Sequence, residues 1–332
     1  MKLNILKNFT FFLLGLIIFA GVFYFIGIDK LIFQLSRLNL FYYGLAVLFI
    51  ALTIMSWVLR WKTFIKGCGY EVSNFSLLKN VMIGLAVNNI TPVAKLGGEP
   101  VRAYLLKEEN AIPIRKSLAT IISDLTIEFF VSIAMVILSF SLITLYMNPP
   151  VWLSLVLVIF ILISLLAFGG IFGIYSDKKF ISRILIWFVN KIKKLKTFEK
   201  TTPRRYRDFQ VTFKKSFQNK KLFSEALFYG FLMKFFDIIK FLFIFMAIGH
   251  PLGILEIVIA VGIAIMLMSV PATPGSLGIW EGGMVSVFAL MGVPIEIAAT
   301  AVFLERIVWF WATTAIGGLL GIHYGVKYTI KN

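Results

Sequence analysis

The chain has 332 residues, 59% of them apolar and 15% charged, with 33 Lys+Arg against 16 Asp+Glu for a net charge of +17. A soluble domain is about 45–50% apolar and about 25% charged, so this make-up excludes an ordinary cytosolic enzyme, a disordered chain and a disulfide scaffold. The single Cys68 and the widely separated His250 and His323 exclude an internal disulfide and a Cys/His metal site, and no metal or cofactor is expected. The surplus of cations reads through the positive-inside rule, not as a nucleic-acid footprint.

Six segments are long and apolar enough to cross about 30 Å of hydrocarbon: 9–28, 41–59, 117–146, 151–175, 222–249 and 298–322. The first follows Lys2 and Lys7, but it is too long for a signal core and lacks a small-x-small cleavage site, so it reads as an uncleaved helix. With the N-terminus in the cytoplasm, 28 Lys/Arg fall inside and only Lys30 and Arg37 outside; Lys234, Lys240 and Arg306 lie within spans. The basic stretch 176–221 contributes fifteen of the inside cations and reads as a segment lying on anionic lipid. The predicted location is the cell membrane, multi-pass, with both termini cytoplasmic.

Two further apolar pieces do not fit as simple crossings. The first, 77–93, is broken by Asn88, Asn89, Thr91 and Pro92 and returns through Gly97 and Gly98. Crossing once, it would turn fifteen cations outward, so a re-entrant hairpin is predicted over 77–105. The second, 253–270, runs into Pro271, Thr273, Pro274, Gly275 and Gly278 before a short apolar stretch to Met291, which predicts a hairpin over 253–292 from the other face. Irregular backbone at membrane depth has to be buried in protein or line a wet cavity.

The breaks resemble each other. Thr91-Pro92 stands eight residues before Glu99, and Thr273-Pro274 eight before Glu281; Pro113 lies eleven before Asp124, and Pro294 eleven before Glu305. The repeating unit is span, hairpin, span, and opposite entry makes it an inverted-topology repeat. The predicted fold is an all-α polytopic membrane protein of about six full spans plus two broken-helix hairpins, one integral membrane domain over 1–332. Within it, 1–40 is the first helix and outer joint, 41–146 the first repeat, 147–221 the linking span and basic loop, 222–322 the second repeat and 323–332 the tail.

Ionisable residues at membrane depth usually face an interior site. The candidates are Glu99, Arg102, Asp124, Lys234, Asp237, Glu281, Glu305 and Arg306, with Glu128 and Lys240 close by. Each has a plainer reading. Asp237 pairs with Lys234 or Lys240 to fix packing; Glu305 and Arg306 pair with each other or with Asp124; Arg102 follows the inside trend. Trp57, Trp61, Trp309 and Trp311 read as packing residues. Broken helices present free N–H groups that favour an anion, and Arg grips phosphate through two parallel hydrogen bonds. The set suits an anionic or zwitterionic headgroup.

The stretches Gly97 to Tyr104 and Pro271 to Gly283, with Leu304-Glu305-Arg306, resemble the two signature regions of the lysylphosphatidylglycerol synthase transmembrane, or flippase-like, family. The resemblance runs over nearly the whole chain. It implies roles for Glu99 and Arg102 in the first motif and for Pro274, Gly278, Glu281 and Arg306 in the second. It also implies a membrane part that flips an aminoacylated phospholipid or accompanies lipid-linked glycosylation. Ser276 and Trp280 depart from it, standing where glycine and often arginine are expected. Ten residues after Ile322 are too few for an aminoacyl-transferase domain, so lysyl transfer from tRNA is not expected.

The leading functional reading is therefore a lipid flippase acting on membrane lipids. A small-solute secondary transporter and a non-transporting partner of a glycosyltransferase or other lipid-modifying, cell-envelope enzyme stay open. A lipid-linked transferase is disfavoured because neither a His/Cys nucleophile set nor a Gly-rich phosphate loop after a strand is found.

Overall fold

A computed structural model describes residues 13–24, 27–91, 97–146, 155, 158–164, 166, 211–269 and 273–331. Among the described residues the chain is helical and without strands. Of the expected span 9–28, residues 13–24 form α1 (Leu13–Tyr24); α2 (Ile28–Ser36) follows in the expected outer joint, bent from α1 by 74°. Gly27, at φ +104°, supplies the turn that a residue with a Cβ rarely adopts. The helix α3 (Leu40–Gly67) starts where the Asn39 side chain accepts hydrogen bonds from the Phe41 and Tyr42 amides. Next come α4 (Asn74–Ile90), capped by Ser73, then α5 (Glu99–Asn110) and α6 (Ile114–Tyr146).

The second half repeats this order. Asn219 caps α7 (Lys220–Ile248), which is followed by α8 (Ile254–Met268), a tight turn Pro274–Ser276 and α9 (Ile279–Leu290). Then α10 (Ile295–Arg306) runs through a π-helical stretch, Ile307–Ala312, into α11 (Thr313–Lys331). The corresponding helices start at Leu40 and Lys220, Asn74 and Ile254, Glu99 and Ile279, Ile114 and Ile295, always 180 or 181 residues apart.

At 1.5 Å per residue, α3 and α6 are about 42 and 50 Å long, and both are apolar enough to cross a membrane. The helix α7 is about 43 Å long but carries Lys234, Asp237 and Lys240. By contrast α4, α5, α8 and α9 reach only about 18–26 Å, short of the hydrocarbon thickness. Of the expected linking span 151–175 only residues 155, 158–164 and 166 are described, all helical; 176–210 of the basic loop and Pro92 lie outside the described residues.

Two main cores form. One joins Ile50, Val58, Trp61, Leu77, Val81, Leu106 and Ile121 from α3 to α6. The other joins Phe245, Ile257, Ala260, Met284, Phe288 and Ala301 from α7 to α10, and it also takes in Phe23, Leu31, Ala46 and Met135 of the first half. Between the halves, α3 lies along α7 in the most extensive helix contact of the structure. Its seam is aromatic: Phe49 stacks on Phe243 at 5.5 Å and meets Phe236 at 5.6 Å, and Tyr42 stacks on Phe243 at 6.3 Å.

The halves also exchange arms. The helix α4 packs on α11 of the second half, and α8 packs on α6 of the first. Both contacts are made close by glycine. A Cβ on Gly317 would lie 2.1 Å from the Met82 carbonyl oxygen, and one on Gly262 would lie 2.0 Å from Ser139 Oγ. The Ser139 hydroxyl donates to the Val258 carbonyl at 2.8 Å across the second contact.

Candidate functional site

The site is built where the helix breaks meet the long spans. In the first half Gly98 must be glycine, because a Cβ there would lie 2.1 Å from the Gly84 carbonyl oxygen. This closeness lays the start of α5 against α4, and the Gly98 amide donates to Asn88 Oδ1 at 2.7 Å. Thr91 closes the end of α4 by donating its hydroxyl to the Val87 carbonyl at 2.8 Å, and a Cβ on Gly97 would run into that same hydroxyl.

In the second half Gly275 adopts φ +57° and sits between the Phe310 ring and the Asn89 carbonyl, so the turn Pro274–Ser276 packs on the end of α4. The two breaks therefore touch. The Thr273 hydroxyl spans the turn to the Leu277 carbonyl at 2.8 Å, and the Gly278 amide donates to Glu281 Oε2 at 2.6 Å. Asn89 Nδ2 donates to the Thr314 hydroxyl at 2.8 Å and toward the Phe310 carbonyl at 3.4 Å, beside the π-helical widening. Such widenings are frequent at functional sites.

Two groups of buried charges flank this junction. In the first, Arg60 of α3 donates Nε to Asp124 Oδ1 at 2.7 Å and Nη1 to Glu128. Arg102 of α5 pairs with Glu99 at 2.7 Å and with Asp124 at 3.5 Å, and Lys234 of α7 reaches Glu128 at 2.7 Å. Trp57 Nε1 donates to Asp124 Oδ2 at 2.9 Å, while the Arg102 guanidinium lies over Trp61 at 4.0 Å. Three cations and three carboxylates thus cancel.

In the second group, Lys240 of α7 pairs with Glu305 at 2.9 Å and with Asp237 at 3.1 Å. Arg306 Nε lies 2.6 Å from Glu281 Oε1, a charge contact without hydrogen-bond alignment, and its guanidinium covers Trp280 at 4.2 Å. Lys240 also lies over Trp309 of the π-helical stretch at 4.8 Å. Among the described residues no ion pair joins the two groups, but both include side chains of α7.

The eight sequence candidates fall into these two groups: Glu99, Arg102, Asp124 and Lys234 in the first, Asp237, Glu281, Glu305 and Arg306 in the second. Several expected pairings differ. Asp237 takes Lys240, one of its two expected partners, while Lys234 turns to Glu128. Glu305 and Arg306 do not pair with each other or with Asp124, because adjacent residues on a helix point about 100° apart. Each takes a partner on a different element. Arg102 is fully buried in protein.

Arg60 was missed. Charge counting assigns it to an inside loop, yet it is 1% exposed and holds two carboxylates. Of the tryptophans read as packing, Trp311 does pack, against Phe19 and Phe310, while Trp57 through its N–H and Trp61 and Trp309 through their faces also contact charge. The departing residues also have places: Ser276 takes φ +57°, where glycine is at ease, and Trp280 is the surface on which Arg306 rests.

The lysylphosphatidylglycerol synthase TM region matches residues 12–317. A UPF0104 membrane protein of Pyrococcus horikoshii is 27% identical, covering 95% of this chain and 96% of its own. UPF0104 membrane proteins of Methanothermobacter thermautotrophicus, at 26% identity over 98% of both chains, and of Methanocaldococcus jannaschii, at 25% over 96% of this chain and 95% of its own, are similar along their length. With all but its ends matched by that family model, this chain, helical over its described residues, belongs to the family of the lysylphosphatidylglycerol synthase transmembrane region.

Proposed function

We propose that the protein is a multi-pass flippase, with both termini cytoplasmic, that carries an anionic or zwitterionic lipid headgroup across the bilayer while the acyl tails stay in lipid. The observation that carries this reading is the pair of buried charge groups at touching helix breaks. Five cations and six carboxylates are gathered there, all but Glu99 and Arg102 of the polar α5 on helices that are mainly apolar. Each such group costs about 2.5–3.5 kcal/mol to insert. Apolar side chains of equal volume would hold the same helices together as well or better, so stability alone does not account for them.

The network favours the zwitterionic end of that class. Its arginines and lysines already have carboxylate partners, so a lone anion would displace a carboxylate and leave it buried and unpaired. A zwitterion can enter an existing pair and keep every charge compensated. Glu128 and Asp237, with side chains 28% and 19% exposed, are where the network reaches open space; its other charged side chains are at most 9% exposed.

The inverted repeat belongs to the same proposal. Four pairs of helix starts recur at 180 or 181 residues, and the halves exchange arms reciprocally, α4 on α11 and α8 on α6. Both support two equivalent units rocking about the α3–α7 seam, with α4–α5 and α8–α9 as hairpins entering from opposite faces.

The test is reconstitution of the full chain into vesicles carrying headgroup-labelled zwitterionic and anionic phospholipids. Translocation above that of protein-free vesicles, faster for the zwitterion, is expected. Uptake of soluble solutes without lipid movement would favour a solute transporter. Co-purification of a cell-envelope enzyme with no movement of either would favour a non-transporting partner.

A further inference from the structure

Arg60 and Lys240 occupy the same place in the two halves. Each lies twenty residues into its helix from starts at Leu40 and Lys220, helices whose capping residues Asn39 and Asn219 are also equivalent. Their partners correspond too: Asp124 stands ten residues after the start of α6 at Ile114, and Glu305 ten after the start of α10 at Ile295. The Arg60–Asp124 contact at 2.7 Å and the Lys240–Glu305 contact at 2.9 Å are thus one contact made twice, each binding the central helix of a half to the long helix that ends its repeat. All four side chains are at most 6% exposed.

The two contacts differ in strength of reinforcement. Arg60 also holds Glu128, which holds Lys234, and Asp124 also accepts from Trp57 and meets Arg102. Among the described residues Lys240 pairs, besides Glu305, only with Asp237 of its own helix, with the faces of Trp309 and Phe241 alongside. Lysine is a point donor, whereas the arginine fork bridges two carboxylates at once. One contact is therefore braced by ion pairs from α5, α6 and α7, the other by Asp237 of α7 and by the Tyr43 hydroxyl of α3 on the Leu304 carbonyl beside it.

We propose that these contacts are alternating clasps: the Arg60–Asp124 clasp closes the path at one membrane face and the Lys240–Glu305 clasp closes it at the other, and transport proceeds by opening one while the other holds. This deepens the flippase reading and rests on it and on the inverted repeat. In the conformation described here both clasps are made, an occluded arrangement, and the less braced Lys240 clasp is the one that opens first. Arg60 and Lys240 are positioning residues in this scheme; they act by holding α6 and α10 rather than by following the headgroup.

The test uses full-length protein in vesicles, with Cys68→Ser as background and a single reporter cysteine at Ser123→Cys beside Asp124 or Leu304→Cys beside Glu305. Both positions are buried. A membrane-impermeant maleimide is applied to either face. Clasps are removed as neutral pairs, Arg60→Gln with Asp124→Asn or Lys240→Gln with Glu305→Gln, so that the deleted contact leaves neither of its own members charged. Removing the first is expected to raise labelling at position 123 from one face and lower it at position 304; removing the second is expected to do the reverse from the opposite face. Each change should be about tenfold, within the 5- to 150-fold range usual for coupled sites.

Arg60→Lys, which keeps the charge but loses the fork, should shift labelling in the same direction by a smaller factor and tests the idea if the paired variant does not fold. Labelling of both reporters rising together, or from the same face, would overturn the proposal. Reciprocal labelling in a protein that moves no lipid would retain the clasps and remove the flippase reading. Lipid movement without reciprocity would do the opposite.

Discussion

Neutralising Asp124 is the sharpest perturbation the network offers. Its carboxylate is fully buried and takes Arg60 Nε at 2.7 Å, Trp57 Nε1 at 2.9 Å and Arg102 Nη2 at 3.5 Å. Asp124→Asn keeps the shape but leaves two guanidiniums facing two carboxylates plus Lys234, one buried positive charge in excess. Removing one partner of a buried pair costs about 3–5 kcal/mol. Arg60 keeps Glu128 and Arg102 keeps Glu99, which places the expected loss near the lower figure, about 3 kcal/mol.

For a chain of 332 residues that corresponds to a drop of about 4 °C in Tm, read by thermal unfolding in detergent. Glu296→Gln is the control. Its carboxylate is 30% exposed and only 3.9 Å from a Lys30 that is 60% exposed, and such pairs contribute under about 1 kcal/mol. Adding Arg102→Gln to Asp124→Asn removes the excess charge and should recover part of the loss. If Asp124→Asn lowers Tm no more than Glu296→Gln does, the charge-network account is wrong.

Three further outcomes follow from particular positions. Gly98→Ala should destabilise by about 1–3 kcal/mol or more, the usual range for overpacking, since the new methyl would lie 2.1 Å from the Gly84 carbonyl oxygen; an unchanged Tm would contradict that approach of α5 to α4. Ser276→Gly should stabilise, by up to about 1 kcal/mol, because Ser276 holds φ +57° and left-handed backbone costs an L-residue about 1–2 kcal/mol; a lower Tm would refute it. Just beyond the end of α3, burial pushes the Cys68 thiol from 9.0 up to about 11, against an opposing pull from Lys116 and Lys215. A raised thiol pKa disfavours the thiolate, the reactive form, so maleimide modification should be slow at pH 7.5 and keep rising toward pH 11; a rate that levels off by pH 9 would contradict it.

Much of the helical order was legible because its signals are local. Apolar runs mark the long helices and the Pro/Gly clusters mark the breaks, whereas the caps Asn39, Ser73 and Asn219, which set the actual starts, went unread. The spacing of Thr-Pro to Glu was a weaker guide than it looked. It aligns Glu99 with Glu281 at 182 residues, whereas the helices start 180 apart, so Glu99 opens α5 while Glu281 sits in the third position of α9. Arg60 was hidden because charge counting treats a cation at the end of an apolar run as solvated. The run 41–59 stops one residue short of it, but α3 continues to Gly67. Its equivalence to Lys240 is visible only once helix starts, rather than motifs, set the register. Partner choice was beyond the sequence wherever two neighbours on one helix diverge around its axis, as Glu305 and Arg306 do.

The most direct measurement is headgroup translocation by purified full-length protein in vesicles, comparing the unaltered chain with Arg102→Gln. Arg102 is fully buried between Glu99 and Asp124 at the meeting of α5 with the long helices. If the network carries the headgroup, losing about 2.7 kcal/mol of interaction there slows translocation about a hundredfold while protein-dependent movement by the unaltered chain stays well above empty vesicles. Equal rates for the two proteins, with both folded, would contradict the claim that these buried charges form the transport path.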